Sequence, residues 1–311
     1  MIRVRMYIKS LADSTFSGAY GIGRSLVALG LLLTVSMDGS SILFAPDDTR
    51  FPMGRCGTGE ILDQTLFCLF GFEAGRWIAV LTFLLVVFGA FPALTAIPFA
   101  YAAWSLQATL AIPEGGDQLA SNLAIIMMPI GLLDWRWNQW MKRGISFDRF
   151  MQWPEFGSGV RFTGLIVIWI QMSIVYFFAA VEKLAVDEWL EGTAIYYWAS
   201  DPNFGAVGIR QQIFSLFTNS PWFVVLITWG TLLLEFMLAF GWLSQGRTKR
   251  RLMIAGIIFH LGIALIMGLV SFSIIMSGAL ILYLGVVKSS KLNDGLTGDR
   301  FRNCETELVA H

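Results

Sequence analysis

At 311 residues, 56% of them hydrophobic and only 14% charged, the chain carries about half the charge of an ordinary soluble domain, and this composition excludes one in favour of a polytopic membrane protein. Basic and acidic residues balance at 22 each, so no net charge draws the chain to nucleic acid or to an acidic substrate, and no nucleic-acid partner is expected. Three cysteines without a CxxC pair, and two histidines of which one is the last residue, give no zinc or thioredoxin-type motif and predict no metal site.

Residues 1–19 hold Arg3, Arg5 and Lys9 and read as a cytoplasmic lead. Tyr20 to Met37 is the first apolar span; no A-x-A cleavage pattern follows it, which predicts an uncleaved anchor. A Gly-, Pro- and Asp-rich loop over 38–76 contains Cys56 and Cys68. Trp77 to Ala90 and Ala93 to Ile112, separated by Phe91-Pro92, read as a helical hairpin, and Leu119 to Trp135 as a fourth span. Arg136, Lys142, Arg143, Arg149 and Arg161 follow, and then a fifth span from Phe162 to about Leu184. A connector over 185–220 has no span in it. Trp222 to Leu243, Leu252 to Val270 and Ser273 to Val287 complete the set, with Arg247, Lys249, Arg250 and Arg251 after the sixth and a polar tail over 288–311.

Each span is measured against the roughly 20 apolar residues needed to cross ~30 Å of hydrocarbon. The fold class is therefore all-α, a transmembrane bundle of about eight helices over 20–287. Positive charge orients it: with the amino terminus inside, the basic clusters fall in cytoplasmic segments, and only Arg50, Arg55, Arg76, Lys183 and Arg210 fall outside. This puts both termini in the cytoplasm, the cysteine loop outside, and Lys183 at the outer surface. In an oxidising compartment the Cys56 and Cys68 thiols are expected to form a structural disulfide, or else an exchange-active pair that oxidises a passing substrate. Cys304 is expected to be a free cytoplasmic thiol.

Ionisable groups at membrane depth are costly and mark candidate sites. They are Glu182 and Lys183, Glu235 in LLLEFMLAF, and His260 in IIFHLGIAL, with Gln171 as a neutral fifth. His260 is either a helix-bridging imidazole or a proton carrier or donor to a substrate. Glu235 is either protonated helix glue or a participant in chemistry. Lys183 either snorkels to the interface or, partly buried, acts as a general base. On a helix Glu182 shares a face with Gln171 while Lys183 points roughly 100° away, so the two serve different neighbours. Trp189, Tyr196, Tyr197 and Trp198 suit an interfacial aromatic belt.

YFFAAVEKLAVDEWLEGTAIYYW, followed by LLLEFMLAFGWL and then FHLGIAL, resembles the HTTM (horizontally transferred transmembrane) domain shared with vitamin K-dependent gamma-glutamyl carboxylases, over about Tyr20 to Val287. In those carboxylases the second lysine of a KK pair is implicated as the base toward vitamin K hydroquinone. The resemblance places that role on Lys183, places an FH-pair histidine on His260, and implies a quinone or hydroquinone cofactor. Position 182 is Glu where the carboxylases have Lys, so the resemblance implies a retained basic lysine rather than glutamate carboxylation. The GRSLVALG opening and the W-x-x-GTAIYYW segment look most like members that help mature a sporulation-delaying peptide toxin. The resulting expectation is a bacterial cytoplasmic-membrane protein that takes part in maturing a secreted antimicrobial peptide, by base chemistry at Lys183 with His260, Glu235 and Glu182 as partners. Its expected partners are the bilayer, a peptide or small-protein substrate, and a small accessory protein of the same system. The alternatives are a non-catalytic toxin escort or immunity protein and a thiol oxidant using the external cysteines.

Overall fold

The computed structural model describes residues 2–37, 43, 56, 61–111, 114–141, 154–201, 205 and 208–286; the expectations for Cys304 and the tail lie outside them. Helices make up the fold. In chain order they are α1 (Ile2–Asp13), α2 (Gly18–Met37), α3 (Leu66–Phe70), α4 (Phe72–Val87), α5 (Pro92–Thr109), α6 (Gly115–Leu132), α7 (Pro154–Lys183), α8 (Asp187–Leu190), α9 (Ala194–Ser200), α10 (Ile209–Thr218), α11 (Pro221–Ala239), α12 (Gly246–Met267) and α13 (Val270–Leu280), the last running into a π turn at Ile281–Gly285. Among the described residues the only β pairing is an isolated bridge, Ala90 to Asn138.

Each of the eight apolar segments is helical, with its ends shifted by a few residues. Four of these helices, α2, α7, α11 and α12, are long and apolar enough to cross a membrane by length and composition. The remaining four, α4, α5, α6 and α13, are shorter or more polar and pack against their neighbours. Small residues set the closest approaches, as expected where helices associate by van der Waals fit rather than by escape from water. Gly23 and Gly30 of α2 face Leu282 and Ile275, leaving no room for a Cβ at Gly30, and Gly278 of α13 returns the contact against Leu26.

The turn between α4 and α5 shows local chemistry overriding propensity. Phe91 adopts a left-handed backbone, φ 42°, which a phenylalanine does not take unaided. It is held there because its N–H donates to Trp137 O at 2.9 Å, Ala93 N–H donates to Asp134 O at 3.1 Å, and Gln139 N–H donates to Gly89 O at 2.8 Å. Pro92 then starts α5 with its φ already set.

This stitched corner adjoins a buried polar cluster. The Arg24 guanidinium donates to Gln139 Oε1 (3.1 Å) and Thr95 Oγ1 (2.9 Å), and Gln139 Nε2 donates to Ser25 Oγ (2.7 Å). Phe16 lies against two more guanidiniums, those of Arg136 at 5.2 Å and Arg161 at 5.0 Å. The helices that carry the candidate site are thereby fixed at one end: α1 packs on α7, α7 on α11, and α12 between α11 and α13.

The connector over 185–220 also differs from a helix lying flat on an interface. It breaks at Gly192, whose φ of 76° is open to glycine, into α8 and α9. Trp189, Ala194 and Leu232 form a small core of their own, and Ile195 N–H reaches Thr228 Oγ1 at 3.4 Å. The connector therefore folds back along the first half of α11. Trp189 is buried rather than placed in an aromatic belt, whereas Tyr196, Tyr197 and Trp198 are exposed.

Candidate functional site

Three helices deliver the polar side chains. On α7, Met172, Tyr176 and Ala180 are buried at a spacing of four, and Lys183 extends that stripe seven residues on from Tyr176, where two helical turns return to the same face. On α11 the buried positions Thr228, Thr231, Leu232, Glu235, Leu238 and Ala239 repeat every three or four residues, so Glu235 lies on the one face of α11 that meets protein. On α12 the buried positions are Leu252, Gly256 and His260, four apart. Gly256 lets Leu238 and Leu280 approach closely, and this close packing sets His260 into the interface.

The centre is an ion pair. Lys183 Nζ donates to both Glu235 oxygens, at 2.8 Å and 2.9 Å, and to Ala179 O at 3.2 Å. The last bond holds the ammonium against the carboxyl end of α7, where a cation is favoured by the helix dipole. The Trp189 ring covers the ammonium at 5.4 Å. The two side chains are 25% and 6% exposed. Lys183 meets α11 about 21 Å along from Pro221 at 1.5 Å of rise per residue, well away from that helix's first turn. In the folded-back connector, α8 and α9 cover the stretch of α11 between.

Beside the ion pair, the Tyr176 hydroxyl lies 2.9 Å from His260 Nε2. Both residues are almost fully buried, at 1% and 2%. His260 Nδ1 is buried without a hydrogen-bond partner among the described residues, and the His260 carbonyl accepts from Ser273 Oγ at 2.6 Å. Tyr283 secures the frame: its hydroxyl donates toward Leu238 O at 3.1 Å, accepts from Trp242 N–H at 3.1 Å and lies 3.2 Å from Ser173 Oγ. This holds the end of the helix that carries Glu235.

The fold thus brings Lys183, Glu235 and His260 together and leaves Glu182 outside, exposed one position along α7. Tyr176, Trp189 and Tyr283 were not among the sequence candidates. For Tyr176 a usable signal existed in its seven-residue spacing from Lys183; for Tyr283 none did. Cys56 and Cys68 are bonded, with their Cα atoms 5.5 Å apart, as the structural-disulfide reading expects. Among the described residues no three His, Cys, Asp or Glu side chains gather as metal ligands would.

Chemically the pair can exist as ammonium with carboxylate or, by moving one proton across the 2.8 Å hydrogen bond, as amine with carboxylic acid. Low polarity narrows the gap between the two forms because the charged one loses hydration.

The HTTM domain model matches residues 133–286 of the chain, the stretch that contains Tyr176, Lys183, Glu235 and His260. Uncharacterized protein YitO of Bacillus subtilis (strain 168) is 34% identical over 280 residues, covering 88% of this chain and 87% of YitO. Sporulation-delaying protein SdpB of the same organism is 33% identical over 280 residues, covering 88% of this chain and 83% of SdpB. No solved structure matches.

Proposed function

Since the chain belongs to the HTTM family of membrane proteins, together with SdpB and YitO, we propose that it is the membrane component of a toxin system and takes part in maturing a secreted antimicrobial peptide, with Lys183 as the base. The observation that carries this reading is the bidentate Lys183–Glu235 pair set next to a histidine with a free ring nitrogen. Structural ion pairs at helix ends do not need that second group. Lys183 passes a proton to Glu235, and the freed amine takes one from an acidic X–H of the substrate, leaving the substrate anion beside the regenerated ammonium.

On this reading the chain crosses the bacterial cytoplasmic membrane eight times with both termini in the cytoplasm. The match between eight apolar segments and eight helices supports it, as does the concentration of Arg and Lys in alternate connections. The peptide reaches the site from the outer side, past α8 and α9, and an accessory protein of the same system presents it. A quinone or hydroquinone suits the residues: His260 Nδ1 is available for a ring oxygen, and the exposed rings of Phe177, Phe236 and Phe240, in contact at 5.2–6.5 Å, offer an apolar wall for a prenyl tail. When bound, such a group supplies an acidic hydroxyl.

The test is Lys183→Ala in cells that secrete the peptide, with its mass and activity read out. A peptide of altered mass or lost activity is expected. An unchanged mature product made by a normally inserted variant would sink the reading in favour of the non-catalytic escort. The bonded Cys56 and Cys68 favour one second reading, in which the pair passes its disulfide to the peptide. It fails if the Cys56→Ser, Cys68→Ser double variant still yields oxidised peptide.

A further inference from the structure

The two ring nitrogens of His260 meet different surroundings. Nε2 faces the Tyr176 hydroxyl at 2.9 Å. Nδ1 is buried with no partner, and the ring is walled by Phe259, Phe272 and Tyr176, whose centroids lie 5.0, 5.7 and 6.1 Å away. A neutral imidazole carries one N–H and one lone pair, and a phenol carries one O–H that also accepts. Two arrangements of the Tyr176–His260 bond follow, and the strength of the bond each one makes separates them.

If Nε2–H donates to the phenol oxygen, two groups go unmet: the Nδ1 lone pair and the phenolic proton, because the Tyr176 hydroxyl makes no other hydrogen bond among the described residues. If the phenol donates to Nε2, two again go unmet: Nδ1–H and the lone pairs of the phenol oxygen. The two counts are equal, so bond strength decides: the phenol O–H is the more acidic donor and an imidazole nitrogen a stronger acceptor than a phenol oxygen, which favours the second arrangement. The imidazolium is worse than either, since it would set a full charge among phenylalanine rings with an N–H still unpaired.

We propose that Tyr176 donates to Nε2 and holds His260 as the neutral Nδ1–H tautomer, making His260 a hydrogen-bond donor to an oxygen of the substrate, a carbonyl or the oxyanion developing from it. Tyr176 is then a positioning residue. The donor role deepens the base reading of Lys183 and rests on it, whereas the tautomer rests on the geometry alone. It also divides the labour at the site: Lys183 and Glu235 move the proton, and His260 steadies the negative charge that the departing proton leaves behind. The substrate class that fits is one whose acidic X–H neighbours a carbonyl, as the backbone of a peptide does.

The test uses the full chain labelled with 15N-histidine in lipid nanodiscs. The chain has only two histidines, and His311→Gln removes the other signal. Long-range 15N–1H correlation is expected to show His260 protonated on Nδ1. Tyr176→Phe, which keeps the ring and removes only the hydroxyl, is expected to shift His260 toward the Nε2–H form. A wild-type His260 protonated on Nε2, or on both nitrogens, overturns the proposal, and so does a Tyr176→Phe spectrum with the tautomer unchanged. Should Tyr176→Phe fail to insert, the wild-type spectrum decides. For the donor role, His260→Leu is expected to lower formation of the mature peptide about 100-fold, the scale for losing one donor at a reacting oxygen. His260→Asn, whose Nδ2 amide can stand near the Nδ1 position, is expected to restore part of it. Equal loss in both variants overturns the donor role. If Lys183→Ala leaves the peptide unaltered while the spectra come out as expected, the base reading has failed and the tautomer has not.

Discussion

Removing the Glu235 carboxylate tests whether the Lys183–Glu235 pair is a coupled unit. Glu235→Gln keeps the shape and leaves the Lys183 ammonium facing a neutral amide. Pairs in full solvent contribute about 0–1 kcal/mol, whereas stripping one partner from a fully buried pair costs about 3–5 kcal/mol because a charge is left uncompensated. With 25% of the lysine side chain and 6% of the glutamate exposed, the variant belongs between these limits, at a loss of about 2–3 kcal/mol. Lys183→Met alone should cost a similar amount, since it leaves Glu235 buried and unpaired. The two together should cost little more than either one, for a coupling of about 2 kcal/mol. The assay is a double-mutant cycle on reversible unfolding in mixed micelles. Additivity of the two single losses to within about 0.5 kcal/mol, the behaviour of independent sites, would refute the picture of one ion pair shielded by Trp189.

Other substitutions probe the frame. Gly30→Val places a branched side chain where Ile275 already sits; a loss of about 1–3 kcal/mol, typical of overpacking, should appear in the same unfolding assay. Arg24→Met leaves the Gln139 and Thr95 oxygens short of a donor and should cost about 1–3 kcal/mol; Arg24→Lys should recover little, since an ammonium cannot span both acceptors as the guanidinium fork does. The Cys56→Ser, Cys68→Ser variant should lose about 2–4 kcal/mol and, on the base reading, still yield a normal mature peptide, as mass spectrometry would show.

The bundle was legible because a bilayer allows few solutions: apolar length, charged connections and Pro or Gly at the ends marked each helix before any packing was known. The connector was not, because WLEGTAIYYW carries the same aromatic signature whether it lies on an interface or packs against α11. Only the contacts of Trp189 and Ala194 with Leu232 decide between the two. Lys183, Glu235 and His260 stood out as ionisable groups in apolar runs, yet their meeting depends on register between helices, which spacing within one helix does not encode. Glu182 stood out equally and is exposed, since neighbouring residues on a helix point about 100° apart. Tyr176 reads as one more aromatic in an aromatic helix until the imidazole is placed beside it.

The Arg24 cluster has a consequence for how the protein is made. Arg24 belongs to α2, the first long apolar helix to leave the ribosome, but its acceptors lie 71 and 115 residues later, at Thr95 and Gln139. While those residues are still being synthesised the guanidinium has neither partner, and hydration holds it at the aqueous edge of the bilayer. The helix can settle to its final depth only when the corner formed by Gly89, Phe91 and Gln139 has closed around it. Assembly therefore has a checkpoint: with Arg24 retained, a nascent chain halted after α5 should keep residue 25 reactive to water-borne thiol reagents in a Ser25→Cys variant, and one extended past Gln139 should protect it.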